Sequence, residues 1–402
     1  MIVGPCTIVT GGDSPAVLED AGVHVVGAHI AHVAHLSALA GAYPDEPLWP
    51  AHGRVLLPGF VNTHAHVGRH LARGLGGADP AAWDAYENAL SPEDIYWSSM
   101  AALVEGVRHG VTTVFDFHRS GGCIDLSLSE VVAAASDLGV RVATCYGLSD
   151  RDTPGERRAA LEECTGFAQE TRSRRQGTLR GLLGVRVDRL DAVDRLLAEV
   201  FEAATQPAGV HIELAGVGAA QVADGAVWFG HPVPALWAHA ERAPASLIGL
   251  ACERGDTLSA IAEPPAATAL LTGAAWGSDA GVNAPPAPER EPSGQAARKE
   301  FYERLMVRGP SFAERFFGDA IGRIEPGAPA DLVLVDYRPA TALSPRTLPA
   351  HLAAGLLRAP VTGAMVAGEI LMEEGRLTTV DEAEVSARAR ECARRIWKRI
   401  EA

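Results

Sequence analysis

A (β/α)8 barrel flanked by a small β-sandwich, itself assembled from both chain ends, is the α/β architecture that this sequence predicts. Three observations predict it. Residues 56 to about 318 alternate apolar strand-like runs with helical stretches, residues 1–56 read as short strands broken by Gly and Pro, and the same short-strand texture returns near residue 324.

In the first 56 residues, β-type runs at 2–3, 7–10, 23–26 and 29–33 predict short antiparallel strands, with no helix beyond a turn or two before 37–42. Strand-like runs then follow at 55–57, 112–115, 140–145, 179–185, 210–214, 247–251 and 270–275, separated by helical stretches such as 93–108, 128–138, 156–172 and 192–204. About seven or eight βα units over this span match the roughly 250 residues of a closed barrel. A doubly wound open sheet is the competing architecture, but no GxGxxG turn follows the first strand to recommend it. Proline-rich segments at 263–265 and 285–292 predict loops at the barrel mouth. The predicted organisation is a composite sandwich of 1–56 and 324–380, a barrel of 57–323, and a C-terminal helix over 381–402.

Composition excludes several classes of partner. The 402 residues carry 35 Lys and Arg against 50 Asp and Glu, a formal net charge of −15, which argues against nucleic acid and anionic membranes. No run of about 18 uncharged apolar residues predicts a membrane span, and the N-terminus lacks a basic stretch followed by a sustained apolar one. The six cysteines form no CxxC pair, so a reducing, cytoplasmic setting is expected. Only Lys299 and Lys398 are lysines, so a mechanism that needs a buried lysine has two candidates.

The sharpest local pattern is Pro58-Gly59-Phe60-Val61-Asn62-Thr63-His64-Ala65-His66, an apolar strand ending in a His-x-His pair. Residues i and i+2 of a strand share a side, so both imidazoles project into one space, which suits Zn²⁺ or Fe²⁺; a chance His-x-His is the bland alternative. Gly277-Ser278-Asp279 follows the last expected strand, where Asp279 is either a metal ligand and proton acceptor or a turn residue. His118, in Asp116-Phe117-His118 at another strand end, reads equally as a catalytic or substrate-contacting group and as a structural histidine. Trp228, in Trp228-Phe229-Gly230-His231, lines a planar-substrate pocket or packs between barrel and helix. His24, His29, His32 and His35 read as surface histidines of the sandwich half.

Together these elements resemble the amidohydrolase superfamily, specifically its cyclic-amidine branch of triazine hydrolases, guanine and cytosine deaminases and SsnA-like hydrolases. The resemblance runs nearly end to end, through RVLLPGFVNTHAH, GVTTVFDFH, GSD, IGRIEPGAPADLVLVD and VTGAMVAGEIL; the tail SARARECARRIWKRIEA looks most like the SsnA-like group. It implies a barrel with a β-sandwich built from both termini, a homodimer, and one divalent metal whose activated water attacks a C–N bond of a small heterocycle. The lysine-bridged binuclear subtype is excluded, because Lys299 lies in a helical stretch beyond Asp279 and Lys398 in the tail helix.

The chain also departs from the family pattern. Its middle strand reads Gly209-Val210-His211-Ile212-Glu213-Leu214-Ala215-Gly216, with Glu213 where the third metal histidine is expected and Gly216 where the proton-shuttling Glu belongs. The next expected strand, 246–251, holds no histidine. The expected ligands are therefore His64, His66, Glu213 and Asp279, for Zn²⁺ first and Fe²⁺ or Mn²⁺ as alternatives. His211 is a further donor or substrate contact, and His118, His211 or Glu241 could substitute for the missing proton-handling groups. Two readings follow: a metal-dependent hydrolase acting on a C–N bond of a small nitrogen heterocycle, or a catalytically retired paralogue, without metal, that binds a ligand or an active partner subunit.

Overall fold

The computed structural model describes residues 1–75, 80–173, 177–189, 193–203, 209–215, 233–261, 273–288 and 292–401. Eight parallel strands wind round its centre: β1 (Phe60–Ala65), β2 (Val111–His118), β3 (Arg141–Ser149), β4 (Leu183–Val187), β5 (Val210–Leu214), β6 (Ala235–Ala238), β7 (Thr257–Ala260) and β8 (Ala275–Trp276). Each is paired to its sequence neighbour, in the order of a (β/α)8 barrel, and a parallel bridge from Ala65 to Asp279 joins the two ends. At this seam Ser278 and Asp279 N–H donate to the His64 carbonyl and His66 N–H donates to that of Asp279, while Thr63 Oγ1 donates to the Trp276 carbonyl and Asn62 Nδ2 to Ser278 Oγ. Gly277 permits the approach, since a Cβ there would lie 2.9 Å from the His64 Cβ.

β1, β2 and β3 are buried at every residue, as expected of parallel strands covered on both faces. The helix Pro92–Arg108 starts with a capping box, in which Ser91 Oγ accepts from Asp94 N–H and the Asp94 carboxylate accepts from Ser91 N–H. Below the barrel, the helix Gly309–Phe317 turns Phe312, Phe316 and Phe317 onto Phe115 of β2, with ring centroids 4.8, 5.7 and 6.1 Å away.

A second, nine-stranded sheet stitches the chain ends together. Val55–Pro58 runs parallel to Ile2–Val9 on one side and antiparallel to Leu332–Val335 on the other, so N-terminal and C-terminal strands share one ladder. Its core is aliphatic, with Ile8, Val23, Leu56, Leu332 and Leu334 among the buried residues. The buried Arg141–Asp331 pair, 3.0 Å apart, ties this sheet to the start of β3. The C-terminal helix Glu382–Glu401 lies against Pro92–Arg108, where Arg395 meets Glu93 at 2.8 Å and Trp397 Nε1 donates to the Leu71 carbonyl.

Two expectations are overturned. The apolar run 247–251 is not a strand: it belongs to the helix Ala245–Glu253, preceded by Pro244, and the barrel strand is the earlier Ala235–Ala238. A short apolar run has no periodicity that separates a buried strand from a buried helix. His24 is no surface histidine; it is 4% exposed and packs on Tyr43, ring centroids 4.0 Å apart. Among the described residues no helix is long and apolar enough to cross a membrane, and all six cysteines are free.

Candidate metal centre

Four strand ends converge on one point. His64 and His66 come from the end of β1, Glu213 from β5, His239 from just past β6 and Asp279 from just past β8. Ligand atoms of His64, Glu213, His239 and Asp279 all lie within 4.8 Å of one another. His66 Nε2 joins them, 3.1 Å from Glu213 Oε1 and 3.2 Å from Asp279 Oδ1. Asp279 Oδ1 is also 3.9 Å from His64 Nε2 and 3.6 Å from His239 Nε2, so it touches all three imidazoles.

The other nitrogen of each imidazole is engaged behind the group. His66 Nδ1–H donates to the Phe117 carbonyl at 2.6 Å, His64 Nδ1 pairs with His211 Nε2 at 2.9 Å, and His239 Nδ1–H donates to Glu241 Oε1 at 3.1 Å. Such partners set ring orientation and tautomer, leaving Nε2 for the centre. His239 and Asp279 both carry left-handed backbones, φ 57° and 55°, a cost of about 1–3 kcal/mol each that clusters at functional sites.

The charges are arranged for a cation. Burial would raise the Glu213 carboxyl, yet His66 and Arg186 hold it well below the usual carboxylate range. Burial opposes ionisation of Asp279 in the same way, and the neighbouring His239 and His66 imidazoles bring it well below as well. His239 is pulled up to about 9 against its burial by Asp279 and Glu241, whereas burial and the neighbouring imidazoles push His64 well down.

The metal that the resemblance implies can be tested on this geometry. Three buried atoms of the group, His64 Nε2, Glu213 Oε2 and Asp279 Oδ1, make no hydrogen bond. Leaving such atoms unpaired costs about 1–3 kcal/mol each, more for charged groups, and a divalent ion among them removes that cost. The set of imidazole nitrogens and carboxylate oxygens suits Zn²⁺, Fe²⁺ or Mn²⁺. The residues fit the group.

Of the residues singled out in the sequence, His64, His66, Glu213 and Asp279 are brought together. His211 is buried behind His64. His118 is not brought to the group: its Nε2 meets Ser120 Oγ at 2.9 Å, its Nδ1 faces Gly68, and burial pushes its pKa down to about 3. Trp228, Gly216 and His231 lie outside the described residues. His239 was not foreseen as a member of the group, although it ends the run Ala235-Leu236-Trp237-Ala238 just after Pro234, a strand signal closed by a polar residue. Also unforeseen is the network behind Glu213, where Arg69 Nε donates to Glu87 at 2.8 Å and the buried Glu87 carboxyl, despite desolvation, is drawn down to about 2 by Arg69, Arg119 and Arg186.

Imidazoles and carboxylates gathered at the C-terminal ends of the strands lie where the active sites of (β/α)8 barrels are built. Residues 55–226 match the amidohydrolase family. The 5-methylthioadenosine/S-adenosylhomocysteine deaminase of Pelotomaculum thermopropionicum is 25% identical, over 99% of both chains. The 5′-deoxyadenosine deaminase of Methanosarcina mazei is 24% identical, over 87% of this chain and 88% of that protein. Two solved structures share the fold: an adenosine deaminase from Xanthomonas campestris with bound zinc (TM-score 0.73, 20% identity, 99% and 98% of the two chains) and the atrazine chlorohydrolase of Arthrobacter aurescens complexed with zinc (TM-score 0.71, 18% identity, 98% and 99%). These likenesses are consistent with the amidohydrolase superfamily and support a hydrolase acting on non-peptide carbon–nitrogen bonds.

Proposed function

We propose that this protein is a metal-dependent amidohydrolase that removes an amino group from a small nitrogen heterocycle of the aminopurine kind. The observation that carries the reading is the set of unpaired buried atoms, His64 Nε2, Glu213 Oε2 and Asp279 Oδ1, within a four-residue donor group that His66 adjoins. His64, His66, Glu213, His239 and Asp279 are the residues that would hold the ion, Zn²⁺ first and Fe²⁺ or Mn²⁺ on the same donor chemistry. When bound, a divalent ion brings the pKa of water down to about 7 and so supplies hydroxide at neutral pH. The deaminase names of the relatives support the choice of substrate class.

The chain's own residues handle the protons. Asp279 keeps Oδ1 without a hydrogen bond beside His66 and His239, and it is the acceptor for a proton from the attacking water. Asp279 returns that proton to the departing amino group, while His239, its Nδ1–H held by Glu241, keeps Nε2 for the ion. Asp279 thereby takes up the work of the shuttle Glu that Gly216 replaces, each proton transfer contributing about 10²- to 10⁴-fold. The retired-paralogue reading drew on a histidine missing after β5 and on Gly216 in place of the shuttle Glu. His239 stands at the end of the next strand, and no observation among the described residues favours that reading.

Metal analysis by mass spectrometry, with ammonia release from adenosine measured in parallel, tests the proposal. The wild type should carry about one equivalent of divalent metal and release ammonia, and His64→Ala should lose both. Well under one equivalent in the wild type, with no change in His64→Ala, sinks the reading.

A further inference from the structure

The ends of β3 and β4 border a cavity of about 180 Å³, room for about six waters at ~30 Å³ each. It adjoins the metal group. Arg186 in its wall has Nε 4.0 Å from Glu213 Oε2, and Glu87, also in the wall, is held by Arg69, whose Nη1 is 3.9 Å from Glu213 Oε1.

The two inner guanidinium groups differ. Arg119 is engaged, donating to Asp152 at 2.8 Å, to Glu87 at 3.3 Å and to the Gly147 carbonyl. Arg186 is 7% exposed, yet its Nε and Nη1 make no hydrogen bond; the nearest carboxylates are Asp188 at 3.6 Å, Glu87 at 3.9 Å and Glu213 at 4.0 Å. A buried donor edge of this kind calls for an acceptor brought in from outside.

The wall decides which acceptor. Asp84, Glu156 and Arg151 complete a lining of five carboxylates, with Glu87, Asp152 and Asp188, against three guanidinium groups, with Arg119 and Arg186. A phosphate meets net negative charge there, and an apolar arm leaves Arg186 unpaired. A hydroxyl satisfies both partners, accepting from Arg186 while donating to a carboxylate. We propose that this cavity binds a hydroxyl-bearing substituent of the substrate, a sugar-like diol, with Arg186 as its specificity residue. The proposal rests on the deaminase reading and extends it to the part of the substrate that does not react.

Calorimetric titration of the metal-loaded protein with inosine, hypoxanthine and inosine 5′-monophosphate tests it, since deamination products bind without turnover. Inosine should bind about tenfold more tightly than either of the others, and Arg186→Met should bring inosine to within about threefold of hypoxanthine. The cavity assignment is overturned by equal or tighter binding of hypoxanthine or the monophosphate to the wild type, by no saturable inosine binding, or by a folded Arg186→Met that keeps the preference. The wild-type comparison stands even if the variant does not fold. Ammonia release from adenosine separates the two ideas: its absence beside selective inosine binding counts against deamination and leaves the cavity in place.

Discussion

His211 touches no other member of the metal group than His64, yet the 2.9 Å contact between them fixes which His64 nitrogen faces the centre. Replacing His211 with Phe keeps an aromatic ring in the buried slot and removes the partner of Nδ1. Metal affinity should fall about 10- to 100-fold, the usual consequence of losing an outer-shell partner. Chelator competition followed by metal analysis measures this, and His211→Gln, which retains a hydrogen-bonding side chain, should recover part of the loss. An unchanged affinity in the Phe variant would remove His211 from any positioning role. At this scale the sequence was informative where spacing carries geometry. His64 and His66 share a strand face by the i, i+2 rule, and Glu213 was legible as the donor aligned with them on β5. His239 escaped because the four-residue run before it is a weak signal and 247–251 offered a longer apolar run nearby.

Among the elements, the helix Gly309–Phe317 does the least obvious work. It closes the barrel floor with three phenylalanines against Phe115, far from the ligands but under the strands that carry them. Phe312 is fully buried, and Phe312→Ala should destabilise the protein by about 3–5 kcal/mol through lost burial and the cavity left behind, read as a lowered denaturation midpoint. A midpoint shift worth less than about 1 kcal/mol would mean the floor is supported elsewhere. Helix bounds such as Pro92–Arg108 and Ser127–Leu138 fall within one residue of the stretches expected from apolar periodicity, because long amphipathic runs flanked by Ser, Pro or Gly signals leave little freedom. The two-residue β8 and the four-residue β7 leave almost no pattern to read; they are strands because their neighbours already hold the barrel's curvature.

For the whole molecule, the sequence conveyed the architecture through texture: two β-rich ends and an alternating middle. The pairing that unites those ends, Val55–Pro58 on Leu332–Val335, joins residues nearly three hundred positions apart and has no local signature. The same long-range logic governs the seam between β1 and β8. There, among the described residues, a single bridge and three backbone hydrogen bonds at His64, Ala65, His66, Ser278 and Asp279 join the barrel, beside side-chain bonds from Asn62 and Thr63. The seam is thus also where His64, His66 and Asp279 lie, so a bound ion would act as a rivet across it. Stripping the metal should accelerate amide hydrogen exchange at residues 62–66 and 275–279 before it affects β2 to β4, and reloading should restore protection in the same segments. Uniform acceleration round the barrel would refute this coupling; a local response would make exchange at the seam a gauge of metal occupancy that needs no substrate.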